Sequence, residues 1–298
     1  MPRGLSRRAL LGLAGGGAAL AGCASPAPQP SPGAPSPRRI RYGSAGPSYG
    51  DLYRPTGRPK ATVVVVHGGF WLSDYALDLG AATSADLAQR GYAAWNIEYR
   101  RLGNGGGWGT TFADVAAAVD HVAKLPGLDP HRVLLLGHSA GGQLAAWAAT
   151  RGEDPLAPGV PAASPVRVGG VVSQAGVLDL RTAALTHVGG DVVQQLLGGG
   201  PDDVPGRYAA ADPTERAALA VRAGVPVRCI VGEDDDIVPA DQASSYVTAA
   251  RAVGARRTEA EVVRVPGDHF ALIDPSTPAW TTIVDQLRDL VGGLGGLR

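Results

Sequence analysis

Gly137-His138-Ser139-Ala140-Gly141-Gly142 decides the fold. Ahead of it, Arg132 to Gly137 is a short apolar run of strand length. Behind it, Ala140 to Thr150 is a longer run of helix formers. A serine set between a strand and a helix, with glycine two residues to either side, matches G-x-S-x-G in the context that motif requires. The spacing has a steric cause: the turn is sharp, and a side chain two residues before or after the serine would strike neighbouring backbone. The helix that follows points its positive end at the turn, where an anion can be stabilised. Ser139 is therefore the candidate nucleophile. The amide of Ala140, the residue after it, is a candidate donor to an oxyanion.

Outward from this turn, short β-branched runs alternate with longer amphipathic ones. Thr62 to His67 is continuously apolar, as a strand covered on both faces would be. Leu77 to Arg90 reads as a helix closed by Gly91, and Tyr92 to Tyr99 as the next strand. Phe112, Val115, Val119 and Val122 mark one face of a helix ended by Pro126 and Gly127. Val168 to Gln174, Val225 to Val231 and Glu261 to Val265 read as strands, and Ala240 to Val253 as a helix. Trp280, Ile283, Val284, Leu287 and Leu290 line one face of a terminal helix. Such alternation predicts an α/β fold, a mostly parallel central sheet with helices on both faces. The stretch from about 175 to 222 breaks the pattern. It is rich in Gly and Pro, only Val192 to Leu197 looks helical, and it reads as a short cap-like insertion.

Two further segments carry chemistry. His67-Gly68-Gly69-Phe70-Trp71 follows a strand, and its glycines let backbone approach a carbonyl group closely. The amide of Gly69 or of Phe70 is a second candidate oxyanion donor. His67 reads as a structural hydrogen-bonder. Trp71 either walls a substrate pocket or packs, and His138 is a second pocket candidate. The six histidines are His67, His121, His131, His138, His187 and His269. Only His269, in Pro266-Gly-Asp-His-Phe270, lies after the acidic turn Gly232-Glu-Asp-Asp-Asp-Ile-Val-Pro239, as the order serine, acid, histidine demands. The acid is one of Glu233, Asp234, Asp235 and Asp236. Metal and nucleotide motifs (H-E-x-x-H, C-x-x-C, strand-borne G-x-G-x-x-G) do not occur, so neither a metal nor a cofactor is expected. Cys229, mid-strand, reads as a buried small hydrophobe.

The 298 residues carry 27 basic and 27 acidic groups; three of the basic ones, Arg3, Arg7 and Arg8, lie in the first 22 positions, where there is no acidic residue. The remainder has a net charge of −3, unlike the basic footprint of a nucleic-acid binder. The basic start and the short apolar run Ala9 to Leu20 read as an export signal over residues 1–22. Ser6-Arg7-Arg8-Ala9-Leu10-Leu11 resembles a twin-arginine signal, with Leu10 and Gly12 departing from the usual pattern. Leu20-Ala21-Gly22-Cys23 resembles a bacterial lipobox, which implies cleavage before Cys23 and a lipid on its thiol. Residues 23–38, dense in Pro, Ser and Ala, then form a tether to a domain spanning 39–298. The expected location is outside the cytoplasmic membrane, held through Cys23 or released.

Taken together, the HGGFW box at 67–71, Glu98-Tyr99-Arg100-Arg101, Gly137 to Gly142, Gly232-x-x-Asp235-x-Ile-Val-Pro239 and Gly267-x-His269-Phe270 resemble an α/β-hydrolase of the carboxylesterase and kynurenine-formamidase-like group. In such hydrolases the acid stands three residues after the strand-ending glycine and two before the Ile-Val-Pro run, which implies Asp235. The resemblance further implies a serine hydrolase acting on a small-molecule ester or amide: Ser139 as nucleophile, His269 as base, Asp235 as its orienting acid. Arylformamidase, prolyl-oligopeptidase-like exopeptidase and an inactive binding module are the alternatives it leaves open.

Overall fold

The computed structural model describes residues 27–152, 157–161 and 163–294. Within them an eight-stranded sheet runs in the order β1-β2-β4-β3-β5-β6-β7-β8. Its strands are β1 Arg38–Arg41, β2 Tyr49–Tyr53, β3 Thr62–Val66, β4 Ala93–Ile97, β5 Val133–His138, β6 Val168–Gln174, β7 Val227–Gly232 and β8 Ala260–Val265. From β4 to β8 every pairing is parallel, while β1 and β2 add to one edge antiparallel. The α/β sheet expected from the alternation is thus present. The two antiparallel pairings were not expected: β1, at the edge, and β2, beside it, are only four and five residues long, too short for a periodic signal.

The pleat sends alternate residues of each central strand to opposite faces. Val64 and Val66 of β3 and Leu135 of β5 enter one core, and Val63, Val65, Leu134 and Leu136 enter the other. The first is covered by α2 (Thr110–Asp120), α3 (Ala140–Ala148) and α8 (Asp241–Ala252), through Phe112, Leu144, Trp147 and Tyr246. The second is covered by α1 (Ala81–Gln89) and α9 (Pro278–Gly293), through Leu87, Trp280, Ile283 and Leu287. Full burial of each such side chain contributes roughly 1.5–3 kcal/mol. This two-sided burial is why the central strands read as continuous apolar runs. The helix expected over Leu77 to Arg90 starts as a 3₁₀ turn at Leu77–Gly80 before α1, and most other bounds move by one or two residues.

The insertion differs more. Its 175–222 span holds four short helices: α4 Leu180–Leu185, α5 Val192–Leu197, α6 Pro205–Ala211 and α7 Ala217–Arg222. Each is about two turns or less, too short to be stable alone. They persist because Leu180, Ala183, Val193, Leu196, Tyr208 and Ala211 are buried in the first core. Asp179 also caps α4 by accepting from the Thr182 amide at 2.9 Å, and Pro205 starts α6. Arg38, placed at the end of the tether, already belongs to β1. The expected signal at 1–22 and Cys23 lie outside the described residues.

Candidate active site

Ser139 occupies the turn between β5 and α3 with φ 54° and ψ −120°, a strained conformation for a residue with a side chain. The surrounding contacts show why glycine flanks it. A Cβ on Gly137 would stand 2.1 Å from the Gly141 carbonyl oxygen. One on Gly141 would stand 2.1 Å from the Val66 oxygen and 2.4 Å from that of His67, and one on Gly142 would stand 2.6 Å from Ser173 Oγ. The Ser139 amide donates to the Gln174 carbonyl at the end of β6 (2.8 Å). Strain at the serine is thus held in place by packing on three strands.

Of the four acids after β7, Glu233, Asp234 and Asp236 are exposed, and Asp235 turns inward. Asp235 Oδ2 accepts from His269 Nδ1 at 2.8 Å, and Oδ1 accepts from the amides of Ile237 and Val238, each at 2.9 Å. Burial alone would raise this carboxyl's pKa. The hydrogen bond and charge of His269, with the two amides, outweigh burial and hold it below the ordinary carboxylate value. A carboxylate on Nδ1 fixes the tautomer and leaves Nε2 as a proton acceptor. The side chains of His269 and Asp235 are only 4% and 2% exposed. His269 is brought to the serine's turn through His138, whose ring centroid lies 4.5 Å from that of His269 and whose Nε2 donates to the His269 carbonyl oxygen at 3.0 Å.

The HGGFW loop lies against the same turn. A Cβ on Gly68 would sit 3.0 Å from Ser139 Cβ and 2.8 Å from the His138 carbonyl oxygen. Gly69 has φ +106°, and Phe70 and Trp71 follow at φ 52° and 55°, so the loop is wound left-handed over three residues. Among the described residues neither the Gly69 nor the Phe70 amide donates to a backbone carbonyl. The Ala140 amide is one of the helix-start donors that have no partner four residues earlier. The amides of Ala140, Gly69 and Phe70 therefore remain the candidate oxyanion donors.

Both pocket candidates are buried and hydrogen-bonded. Trp71 has no exposed surface, and its Nε1 donates to Gln143 Oε1 at 3.1 Å. Gln143 Nε2 in turn donates to Ala211 in the insertion at 2.9 Å. His138 is buried, and its Nε2 is committed to the His269 loop. Burial, then the charge of His269, lowers the His138 pKa to about 3, so its ring is neutral.

A second buried network lies beneath the HGGFW loop, centred on His67. His67 Nδ1 donates to the Gly68 carbonyl (2.8 Å), so its Nε2 is an acceptor and takes a hydrogen from Arg101 Nη1 (3.1 Å). Glu98 Oε1 lies 3.2 Å from Nε2, but two acceptors cannot bond. Arg101 and the amides of Tyr99 (2.9 Å) and Leu77 (3.1 Å) are the donors that satisfy this carboxylate. Burial, then the Arg101 charge, pushes the His67 pKa to about 3, consistent with a neutral ring. The Tyr99 hydroxyl donates to the His67 carbonyl at 2.7 Å. His67 thus fixes the loop rather than reacting. The residues responsible lie in Glu98-Tyr-Arg-Arg101, where charge directly after an apolar strand was the available signal. Cys229 is buried, its thiol pushed up to about 12 by burial.

The BD-FAE family model matches residues 51–249. The chain belongs to the BD-FAE family. The matched range holds the HGGFW loop, Ser139 and Asp235, and His269 lies beyond it. This BD-FAE chain is 29% identical to Esterase LipC of Mycobacterium tuberculosis (strain ATCC 25618 / H37Rv) over 255 residues, covering 80% of this chain and 60% of that protein. Over 119 residues it is 36% identical to a probable isoprenylcysteine alpha-carbonyl methylesterase of Oryza sativa subsp. japonica, covering 37% of this chain and 26% of that one. The chain therefore spans less than two thirds of either curated relative. A solved truncated form of a carbohydrate esterase from gut microbiota superposes with a TM-score of 0.71 at 21% identity, over 88% of this chain and 99% of that one. A bacterial heroin esterase does so with 0.67 at 22% identity, over 87% and 84%. The BD-FAE chain has the esterase-type α/β-hydrolase fold.

Proposed function

We propose that this chain is a serine carboxylesterase that cleaves esters of small acyl groups through an acyl-enzyme. The observation that carries the reading is the inward carboxylate of Asp235 on His269 Nδ1, 2.8 Å away, with the His269 loop bonded to His138, the residue before a strained Ser139. His269 Nε2 removes the proton as Ser139 Oγ attacks the carbonyl carbon. The tetrahedral oxyanion receives the amides of Ala140 and of Gly69 or Phe70, and the protonated His269 returns the proton to the departing alkoxide. Water, activated by the same base, then attacks the acyl-serine and frees the acid. Relatives named as esterases support the bond type.

Small acyl groups are favoured because the insertion closes over the loop. At Gly189, a Cβ would stand 2.4 Å from the Phe70 ring, and Ser139 is only 2% exposed. The test is a series of p-nitrophenyl esters from acetyl to palmitoyl, run beside N-formylkynurenine and an alanine anilide, with fluorophosphonate labelling of wild type and Ser139→Ala. We expect one label per chain, lost in the variant, and the highest kcat/KM at acetyl or butyryl. A maximum at palmitoyl would overturn the size reading, and labelling that survives Ser139→Ala would overturn the nucleophile. The signal and lipobox further support export and a lipid anchor on Cys23, with a diacylated residue giving stable attachment. Membrane recovery of the native protein and solubility of Cys23→Ala are the expected result. Equal solubility, with residues 1–22 retained in both, would refute it.

A further inference from the structure

The end of the sheet opposite Ser139 has a different character. Lys60 lies just before β3, Arg132 immediately before β5 and Arg167 immediately before β6, three strands adjacent in the sheet. With Arg58 and His131 they line a groove of about 570 Å³ in which Asp129 is the one acid among the described lining residues. Arg58, Lys60, His131 and Arg167 are exposed. Arg132 donates from Nε and Nη2 to the Lys60 carbonyl oxygen (3.1 and 3.0 Å), a neutral acceptor that leaves its charge uncancelled. Asp129 spends one oxygen on the His131 amide at 2.9 Å. Arg58, Lys60 and Arg132 against Asp129 stand out in a chain whose residues past the first 22 carry a net negative charge.

The direction of β1 adds a second, independent observation. β1 is antiparallel to β2, and β2 to β4, so β1 runs with the central strands. The chain before Arg38 consequently approaches from the amino ends, the same end as the cationic groove. Ala34 in that segment packs on the core that contains Tyr53 and Ala61. Whatever holds residues before the tether holds this end of the molecule toward it.

We propose that the groove at the amino ends of β3, β5 and β6 docks on anionic lipid headgroups and turns Ser139 toward the aqueous side. The orientation rests on the anchor reading for Cys23; the headgroup binding does not. Each Lys or Arg near an anionic surface contributes attraction that is lost within a Debye length, so the contact is sensitive to salt. The experiment uses the full chain carrying Cys23→Ala, so that no acyl chain contributes. It measures cosedimentation with phosphatidylglycerol vesicles and, separately, with phosphatidylcholine vesicles. We expect a preference for phosphatidylglycerol that falls with added salt. Arg58→Gln/Lys60→Gln should lower that affinity about 30-fold, and Arg58→Glu/Lys60→Glu should lower it further. Both variants should retain hydrolysis of a soluble ester as proof of folding. Equal binding to the two lipids, or charge reversal without effect, would overturn the proposal. Neither outcome bears on the anchor, which the fractionation of Cys23→Ala tests by itself.

Discussion

His67 and His269 stand on two loops packed against the same serine turn, both buried and each held through Nδ1. Their partners set them apart. His269 gives its Nδ1 proton to a carboxylate, whose charge would stabilise an imidazolium, while its Nε2 is left to accept. His67 gives its proton to a neutral carbonyl and has a guanidinium on Nε2, so gaining a proton there would set two cations together. One ring is poised to take a proton and the other is barred from it. The residue type carries no role of its own; the charge of the neighbour 2.8–3.1 Å away assigns it.

The sharpest test of this contrast is to remove each ring. His269→Ala should lower kcat on the order of 10⁶-fold, the loss seen when a triad base is deleted. His67→Ala removes the support of the Gly68 carbonyl and the acceptor for Arg101, and should cost on the order of 10- to 100-fold through a misplaced oxyanion loop, with His67→Asn recovering part of it. Equal losses in ester hydrolysis would erase the distinction. Next in size is the carboxylate: Asp235→Asn should lower kcat by about 10³- to 10⁴-fold with folding intact. Asp234→Asn and Asp236→Asn, at exposed positions, should leave it nearly unchanged. Near-native kcat in Asp235→Asn beside an inactive neighbour would move the acid elsewhere in the turn.

The smallest effect extends the comparison to His138, which like His67 is held near pKa 3 against an ordinary 6.5. The unfolded chain binds this proton below 6.5 and the folded chain only near 3. Stability is therefore lost as pH falls through that window, by about 1.4 kcal/mol per pH unit for each such histidine. Asp212, pushed up to about 7 by burial, acts with opposite sign by keeping its proton in the folded state, so the total slope mixes both. His138→Gln keeps a donor for the His269 carbonyl and isolates one histidine. Urea unfolding at pH 7 and 4.5 should show the variant losing less stability than wild type on acidification. Parallel losses would show that His138 is not neutral in the folded protein.

Ser139 and His269 were legible in the sequence because local sterics and chain order leave visible traces: glycines at fixed offsets, and one histidine past the acidic turn. Asp235 required the resemblance, since four adjacent acids look alike until the turn points one inward. The cap helices were not legible, because helices of six or seven residues owe their existence to burial rather than to their own periodicity. Nor was the link from His67 to Arg101, 34 residues away: the charges after β4 mark the residues but not their partner. The fold was read from its interior strands and missed at its antiparallel edge for the same reason.

Gly141 has a consequence for how this protein can diversify. Its Cα rests against the carbonyls of Val66 and His67, so the nucleophile's turn and the root of the oxyanion loop are joined backbone to backbone, with no side chain between them to trim or enlarge. The two halves of the catalytic centre are one casting, whose internal spacing no substitution at Gly141 can adjust. The cap touches that casting through side chains, Phe70 against Gly189 and Gln143 against Ala211. Changes in what the protein accepts therefore have room to accumulate there, in the stretch that reads least clearly from sequence, while the reacting geometry beneath stays constant.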